Sequence, residues 1–273
     1  MTNYKLIYQT NKLDHTDKTK NRVAYLSLVK YINQLRLRKL NYQKNNLSTN
    51  NRIPFIIGIS GSVAVGKTTS AKILKQLFHE KYPYLKVQVV ATDGFIYSNK
   101  ILEQKKIMDR KGFPESYDME LLNRFLRIVS SGKKAYFPIY SQKLSDIVPD
   151  EMGCVENTDV LILEGINTLK LSDDPISRDY LDFSIYIDAE EELIETWFLD
   201  RFKNMLKINR DKKDNFFFKL ANIPLEEAVN YAKQVWQTVD LVNLKDNIEP
   251  SKANADMILH KTTNHIVDEI YLV

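Results

Sequence analysis

Residues Phe55 to Leu74 read FIIGISGSVAVGKTTSAKIL, and no other stretch restricts the possible folds as strongly. The run Phe55-Ile56-Ile57-Gly58-Ile59 is apolar and rich in β-branched residues, the pattern of a strand buried on both faces of a parallel sheet. It leads directly into Gly61-Ser62-Val63-Ala64-Val65-Gly66-Lys67-Thr68, a complete G-x-x-x-x-G-K-[ST] loop followed by Thr69. Ile73, Leu74 and Leu77 then share one face of a predicted helix. Glycine lets the backbone curl until successive N–H groups converge on a triphosphate, and the helix adds its positive N-terminal end. Lys67 is placed to reach the β- and γ-phosphates, and the Thr68 hydroxyl to hold Mg²⁺. Strand, loop and helix in succession predict an α/β fold of the P-loop NTPase type and a nucleoside triphosphate as ligand.

The 273 residues suffice for one large α/β domain with helical additions. A net charge of +4 suits an anionic substrate and is too weak to argue for nucleic acid. Cys154 is the one cysteine, so no internal disulfide forms, in keeping with a reducing cytosol. The N-terminus opens no apolar signal core, and no run approaches membrane-spanning length. The expectation is a cytoplasmic protein with no membrane or nucleic-acid partner.

Residues 1 to about 20 are polar and patternless and read as a loosely held arm. Val23, Leu26, Val29, Ile32 and Leu35 recur at helical spacing, with Lys30, Arg36, Arg38 and Lys39 on other faces, read as a solvated surface. Residues 1–50 are thus an arm and a helix packed on the core, ending in an Asn-rich linker from Gln43 to Asn51; residues 51–273 form the P-loop domain.

Val87 to Ala91, Val160 to Glu164, Asp182 to Asp188 and Ala255 to His260 read as further strands. Alternating with helices, these uniformly apolar strands predict a parallel sheet covered by helices on both faces. Asp93 follows the second strand, where ligands bind in open α/β sheets, and is the candidate for accepting a proton from an attacking hydroxyl. The same aspartate before Gly94 also suits an ordinary turn. Glu164, at the end of its strand, is a candidate for holding Mg²⁺ or its water. Asp118 is a plausible N-cap for a helix carrying Leu121, Leu122, Phe125 and Val129. Tyr136 to Asp150 has two prolines and no period, so it is a substrate-loop candidate. Arg201 sits in a helical stripe with Trp197, Phe198 and Phe202, where a guanidinium can clamp a transferring phosphoryl group. Leu225 to Val239 reads as one long helix.

Phosphate loops serve kinases, GTPase switches and regulators alike. Asn11-Lys12-Leu13-Asp14 and Asp109-Arg110-Lys111-Gly112 mimic GTPase motifs, but the first precedes the phosphate loop and the second follows no strand. Both are chance matches.

The strings GSVAVGKTT (61–69), TDGF (92–95), RKGFPESYD (110–118), ILEGIN (162–167), DFSIYIDA (182–189), DRF (200–202) and NH (264–265) carry a resemblance. From about residue 23 to the end, the chain resembles the type I bacterial pantothenate kinases of the phosphoribulokinase and uridine kinase superfamily. The resemblance implies transfer of the γ-phosphoryl of ATP to the primary hydroxyl of pantothenate, with Mg²⁺, on the way to coenzyme A. It makes Asp93 the catalytic base, Lys67 and Arg201 phosphate ligands, and Thr68 with Glu164 the metal surroundings. Gly61 through Thr69 would bind the nucleotide, Lys261 and His265 would line the adenine site, and Tyr140, Gln142, Phe198, Phe202 and Asp240 the acceptor pocket. It further implies a homodimer and coenzyme A as a feedback ligand.

The chain departs from that pattern around the acceptor. Where the family has Tyr-Ser-His-x-x-Tyr-Asp, this chain has Tyr140-Ser141-Gln142-Lys143-Leu144-Ser145-Asp146. A family tyrosine becomes Phe198, a pocket asparagine becomes Asp240, and an aromatic becomes Met205. An ionised Asp240 facing a pantothenate carboxylate would oppose like charges. Three readings therefore stand: a pantothenate kinase, a relative using an alcohol without the carboxylate, and a nucleotide-binding regulator without turnover.

Overall fold

The computed structural model of the chain describes residues 4–9, 18–46, 52–169 and 180–273. The string Asn11-Lys12-Leu13-Asp14 and residues 47–51 of the expected linker lie outside the described residues. In chain order the elements begin β1 (Lys5–Gln9), α1 (Lys18–Asn46), β2 (Phe55–Gly61), α2 (Lys67–Lys81), β3 (Val87–Ala91), α3 (Asn99–Gln104) and α4 (Met119–Ser130). There follow β4 (Ala135–Ser141), β5 (Asp146–Val155), β6 (Val160–Glu164), β7 (Phe183–Asp188), α5 (Glu191–Asn209) and α6 (Phe218–Ala221). The chain ends with α7 (Leu225–Val235), α8 (Leu241–Asn243), β8 (Met257–Thr262) and β9 (Ile266–Leu272).

Seven strands form the main sheet in the order β1-β9-β8-β7-β2-β6-β3. From β3 to β8 all pairings are parallel, as the apolar strands predict. The sheet is mixed beyond β8, because β9 returns antiparallel through a tight turn and β1 adds antiparallel to β9. The N-terminal arm therefore contributes an edge strand that its sequence did not announce. β2 lies near the centre, and all seven of its residues are buried. Its side chains alternate between two layers: Ile57 and Ile59 join Ile162 in the cluster under α1 and α2. Ile56 joins Leu161, Leu163 and the α4 residues Leu122, Phe125 and Leu126 in the other. Helices thus cover both faces, as expected.

The buried face of α1 is Ala24, Tyr25, Leu28, Val29 and Ile32, whereas Val23 is 49% exposed. Its basic residues are not all solvated. Arg36 is buried against Asp159 at 3.5 Å, and Lys39 pairs with Asp182 at 2.6 Å. Both carboxylates stand just before β6 and β7, so α1 is fastened by charge to the starts of the central strands. α1 also runs through Asn46, past the expected onset of the linker.

Tyr136 to Asp150 is not an irregular loop. β4 and β5 pair antiparallel as a two-stranded sheet, with a register shift between Pro138 and Tyr140. Proline interrupts a ladder, and here the interruption is a local irregularity within a hairpin. The helix expected from Leu225 to Val239 is present and runs on to Ile248 with a changed winding: π-helical turns at Trp236–Asp240 and Leu244–Ile248 flank α8. Such turns insert a residue per turn and re-aim the side chains around them.

The expected N-cap is present: the Asp118 carboxylate accepts from the Leu121 N–H at 2.9 Å. Among the described residues no helix is long and apolar enough to cross a membrane. Asp118→Ala is expected to lower stability by about 1 kcal/mol, read as a fall in the urea midpoint at unchanged slope.

Candidate active site

Strand register brings the candidate groups together. Glu164 pairs laterally with Ile59 of β2 on one side and Ala91 of β3 on the other. The phosphate loop starts two residues beyond Ile59, and Asp93 stands two beyond Ala91, so loop, aspartate and glutamate leave the same edge of the sheet. These are carboxyl ends of parallel strands, where open α/β sheets place their ligands.

Within the loop, Ala64 and Gly66 adopt left-handed backbone, with φ of 60° and 89°. Val65 is fully buried in the core, and Val63 packs against a second apolar cluster, so these two residues anchor the loop. Ala64, Gly66, Lys67, Thr68 and Thr69 line an open cavity of about 1380 Å³. That volume exceeds the usual range for one small ligand and leaves room for two.

The Lys67 ammonium donates to the Ser62 carbonyl at 2.8 Å. Burial pushes it down to about 8, while Glu164, Asp93 and Asp240 pull it back up. The Thr68 hydroxyl donates to Glu164 Oε1 at 2.7 Å, and burial raises the Glu164 carboxyl above its usual range. Burial likewise raises Asp93, against the pull of Lys67, Arg201 and Lys111. A carboxylate made more basic and surrounded by cations is suited to receive a hydroxyl proton.

Asp93 lies in a short turn, Thr92–Phe95, with the β4–β5 hairpin folded over it. A Cβ at Gly94 would stand 2.2 Å from the Pro138 carbonyl, so glycine is what allows the hairpin this close. The hairpin delivers Gln142 to the base. Its Nε2 donates to Asp93 Oδ2 at 3.5 Å, and its Oε1 accepts from Arg201 Nη2, also at 3.5 Å. Both contacts stand at the outer limit of hydrogen bonding. Tyr140 lines the cavity beside Gln142.

The other acceptor-pocket expectations lie deeper. Phe198 packs on Trp236 at 5.6 Å between ring centroids, and Phe202 sits in an apolar cluster with Leu206, Ala228 and Ala232. Neither lines the cavity. Asp240 ends the first π-helical turn, and burial pushes its carboxyl up to about 7, opposed by Arg201 and Lys67. It therefore feels the same two cations that would bind the transferring phosphoryl group. Both expected adenine residues border the cavity. The His265 ring stacks on Trp197 at 4.0 Å and 26°, and the Lys261 ammonium donates to carbonyls of the phosphate loop.

Sequence reasoning missed several wall residues: Asn21, Arg22 and Tyr25 from α1, and Asn204 from α5. It also left out Lys111, whose ammonium lies 5.3 Å from the centre of the Tyr140 ring. Lys111 stood within the RKGFPESYD string, and that was the available signal. α1 offered none beyond its helical period.

Residues 56–215 match the phosphoribulokinase / uridine kinase family. The chain is 47% identical over 221 residues to a protein of Lactococcus lactis subsp. lactis named pantothenate kinase, covering 80% of this chain and 72% of that one. It is equally identical over 238 residues to a pantothenate kinase of Streptococcus agalactiae, covering 86% and 75%. Among solved structures, D-glycerate 3-kinase from Cryptococcus neoformans superposes with a TM-score of 0.61 at 16% identity, covering 90% of this chain and 99% of that one. At that identity the superposition speaks for the fold alone. The sequence relationships carry the assignment: the chain belongs to the phosphoribulokinase and uridine kinase family, and within it to the pantothenate kinases.

Proposed function

We propose that the chain transfers the γ-phosphoryl of ATP to the primary hydroxyl of pantothenate. The observation that carries this reading is the convergence of Lys67, Asp93 and Arg201 on one cavity, in a chain 47% identical to pantothenate kinases. Lys67 and Arg201 would hold and neutralise the transferring group, while Asp93 orients the acceptor hydroxyl and takes its proton. Positioning and charge neutralisation supply most of such a rate enhancement.

Thr68 and Glu164 would hold Mg²⁺. A hydroxyl and a carboxylate 2.7 Å apart beside the phosphate loop form the hard-oxygen set this ion takes, with waters and substrate phosphates completing it. When bound, the ion would offset charge on the phosphates. The reading includes a cytoplasmic homodimer and coenzyme A as a feedback ligand. Gln142 and Met205 speak against that last contact, since the family has histidine and an aromatic there.

One observation favours a second reading, in which the acceptor is a pantetheine-like alcohol without the carboxylate. The half-buried Asp240 feels the charges of Arg201 and Lys67, and Phe198 has no hydroxyl to offer. A purified-protein assay of ATP consumption with pantothenate and pantetheine offered separately decides between the two. Silence with both would favour a nucleotide-binding regulator.

Two outcomes are expected. Asp93→Asn lowers turnover by about 10²–10⁴-fold while ATP binding, measured by calorimetry, is retained; preserved turnover would remove Asp93 from its role. The second concerns pH. A carboxyl pushed up to about 7 is mostly neutral below that pH and ionised above it, so repulsion of pantothenate grows as pH rises. KM for pantothenate is expected to climb between pH ~6 and ~8 by roughly fivefold, for about 1 kcal/mol of like-charge repulsion. Asp240→Asn should flatten that climb, and an unchanged profile would place Asp240 away from the acceptor.

A further inference from the structure

Lys261 is a buried lysine without a counter-ion. Its side chain comes from β8, is 2% exposed, and among the described residues no carboxylate pairs with it. Its ammonium donates to the carbonyls of Val65 at 3.1 Å and Gly66 at 3.4 Å, and to Ser70 Oγ at 2.9 Å. Ser70 in turn donates to the Gly66 carbonyl at 2.9 Å, which leaves its oxygen to accept from Lys261 and from the Tyr25 hydroxyl at 2.7 Å. Three acceptors thus face one nitrogen, the complement of a protonated ammonium. The nearby charge is the like-signed Lys67, and burial pushes the Lys261 ammonium down to about 7. A lone buried cation is costly unless an anion arrives to balance it.

The geometry of the peptide unit gives the contact a purpose. In a trans peptide the C=O and the following N–H point in opposite directions. Holding the Val65 and Gly66 carbonyls therefore turns the N–H groups of Gly66 and Lys67 the other way, toward the ligand side of the loop. Gly66 also makes room for the contact, because a Cβ there would lie 3.0 Å from the Lys261 nitrogen.

We infer that Lys261 is a positioning residue of the phosphate loop: it fixes the loop's amides toward a polyphosphate and supplies a buried positive charge that the polyphosphate neutralises. The inference rests on the nucleotide reading above and differs from a role against adenine. It also makes α1 part of the nucleotide machinery, since Tyr25 completes the hydrogen-bond chain behind the loop.

The test uses the full chain and three probes, ADP, inorganic tripolyphosphate and adenosine, each competing against a fluorescent nucleotide. Lys261→Met is expected to weaken ADP and tripolyphosphate by a common factor of about tenfold or more and to leave adenosine unchanged. Wild-type affinity for tripolyphosphate should fall as pH rises from about 6.5 to about 8.5, and the variant should lose most of that slope. Lys67, His265 and Tyr25 face Lys261 and are present in both proteins, so the difference in slope isolates Lys261. Should the methionine variant fail to fold, Lys261→Gln keeps two donors without the charge and is expected to lose the slope with a smaller loss of affinity.

Wild-type affinities in both variants would overturn the inference, as would weakening of ADP and adenosine but not tripolyphosphate, the signature of an adenine contact. Parallel weakening of all three probes with an unchanged pH slope would reduce Lys261 to a structural support. A wild-type protein that binds neither ADP nor tripolyphosphate would instead overturn the nucleotide reading itself.

Discussion

Two ammonium groups share one loop. Lys261 is buried and Lys67 half-buried beside the Val65–Lys67 turn; burial lowers the proton affinity of both, and the charge of Lys67 lowers that of Lys261 further. Like charges in a poorly solvated site repel, and the rest of the site is arranged around that repulsion. Glu164, Asp93 and Asp240 all act on Lys67, and none pairs with Lys261. Arg201 adds another positive charge at the cavity wall. The acids offset part of this charge, and a polyphosphate is the group that would offset the remainder. Affinity for an anion is in this sense built into the unliganded fold, before any direct contact is counted.

The sheet is what makes this concentration of charge possible. Parallel strands present their carboxyl ends at one edge, and the register of β6 between β2 and β3 sets Glu164 between the phosphate loop and the Asp93 turn. The opposite ends of β6 and β7 carry Asp159 and Asp182, which pair with Arg36 and Lys39 of α1. One helix is thus tied by ion pairs at the far end of the sheet and reaches the phosphate loop through Tyr25 at the near end. The helix contributes to orientation at the site without touching the reacting atoms.

What the sequence made legible was local or strictly patterned. The phosphate loop, the strands Val87–Ala91 and Val160–Glu164, and the Asp118 cap each carry their signal within a few residues. What it hid depends on partners far along the chain. Among the described residues β1 has its one strand partner in β9, more than 250 residues away, so its five residues carry no pattern of their own. The β4–β5 hairpin was obscured by its prolines and by a register shift that breaks the alternation. On α1 the apolar period held for Leu26, Val29, Ile32 and Leu35, which pack in or against the core; of the five expected residues Val23 is exposed, and Ala24 and Tyr25 widen the buried face. At the site, Asp93 and Arg201 were legible by residue type and position. The loop-side orientation of Lys261 was not, because it follows from how β8 lies beside β7, which in turn neighbours β2.

The polar side chains around the expected acceptor site differ in whether they titrate. Gln142 lies between the base and the phosphate clamp, its amide nitrogen toward Asp93 and its oxygen toward Arg201. An amide donates and accepts at once and does not titrate, unlike a histidine, whose charge changes near neutral pH. Gln142 itself does not titrate, so a pH response in this link comes from the Asp93 carboxyl, which burial holds above its usual range. Asp240 is an ionisable carboxyl, pushed up by desolvation, and its charge acts on Lys67. A charge on Asp240 therefore reaches the cations of the cavity from beyond its wall, through space rather than by contact.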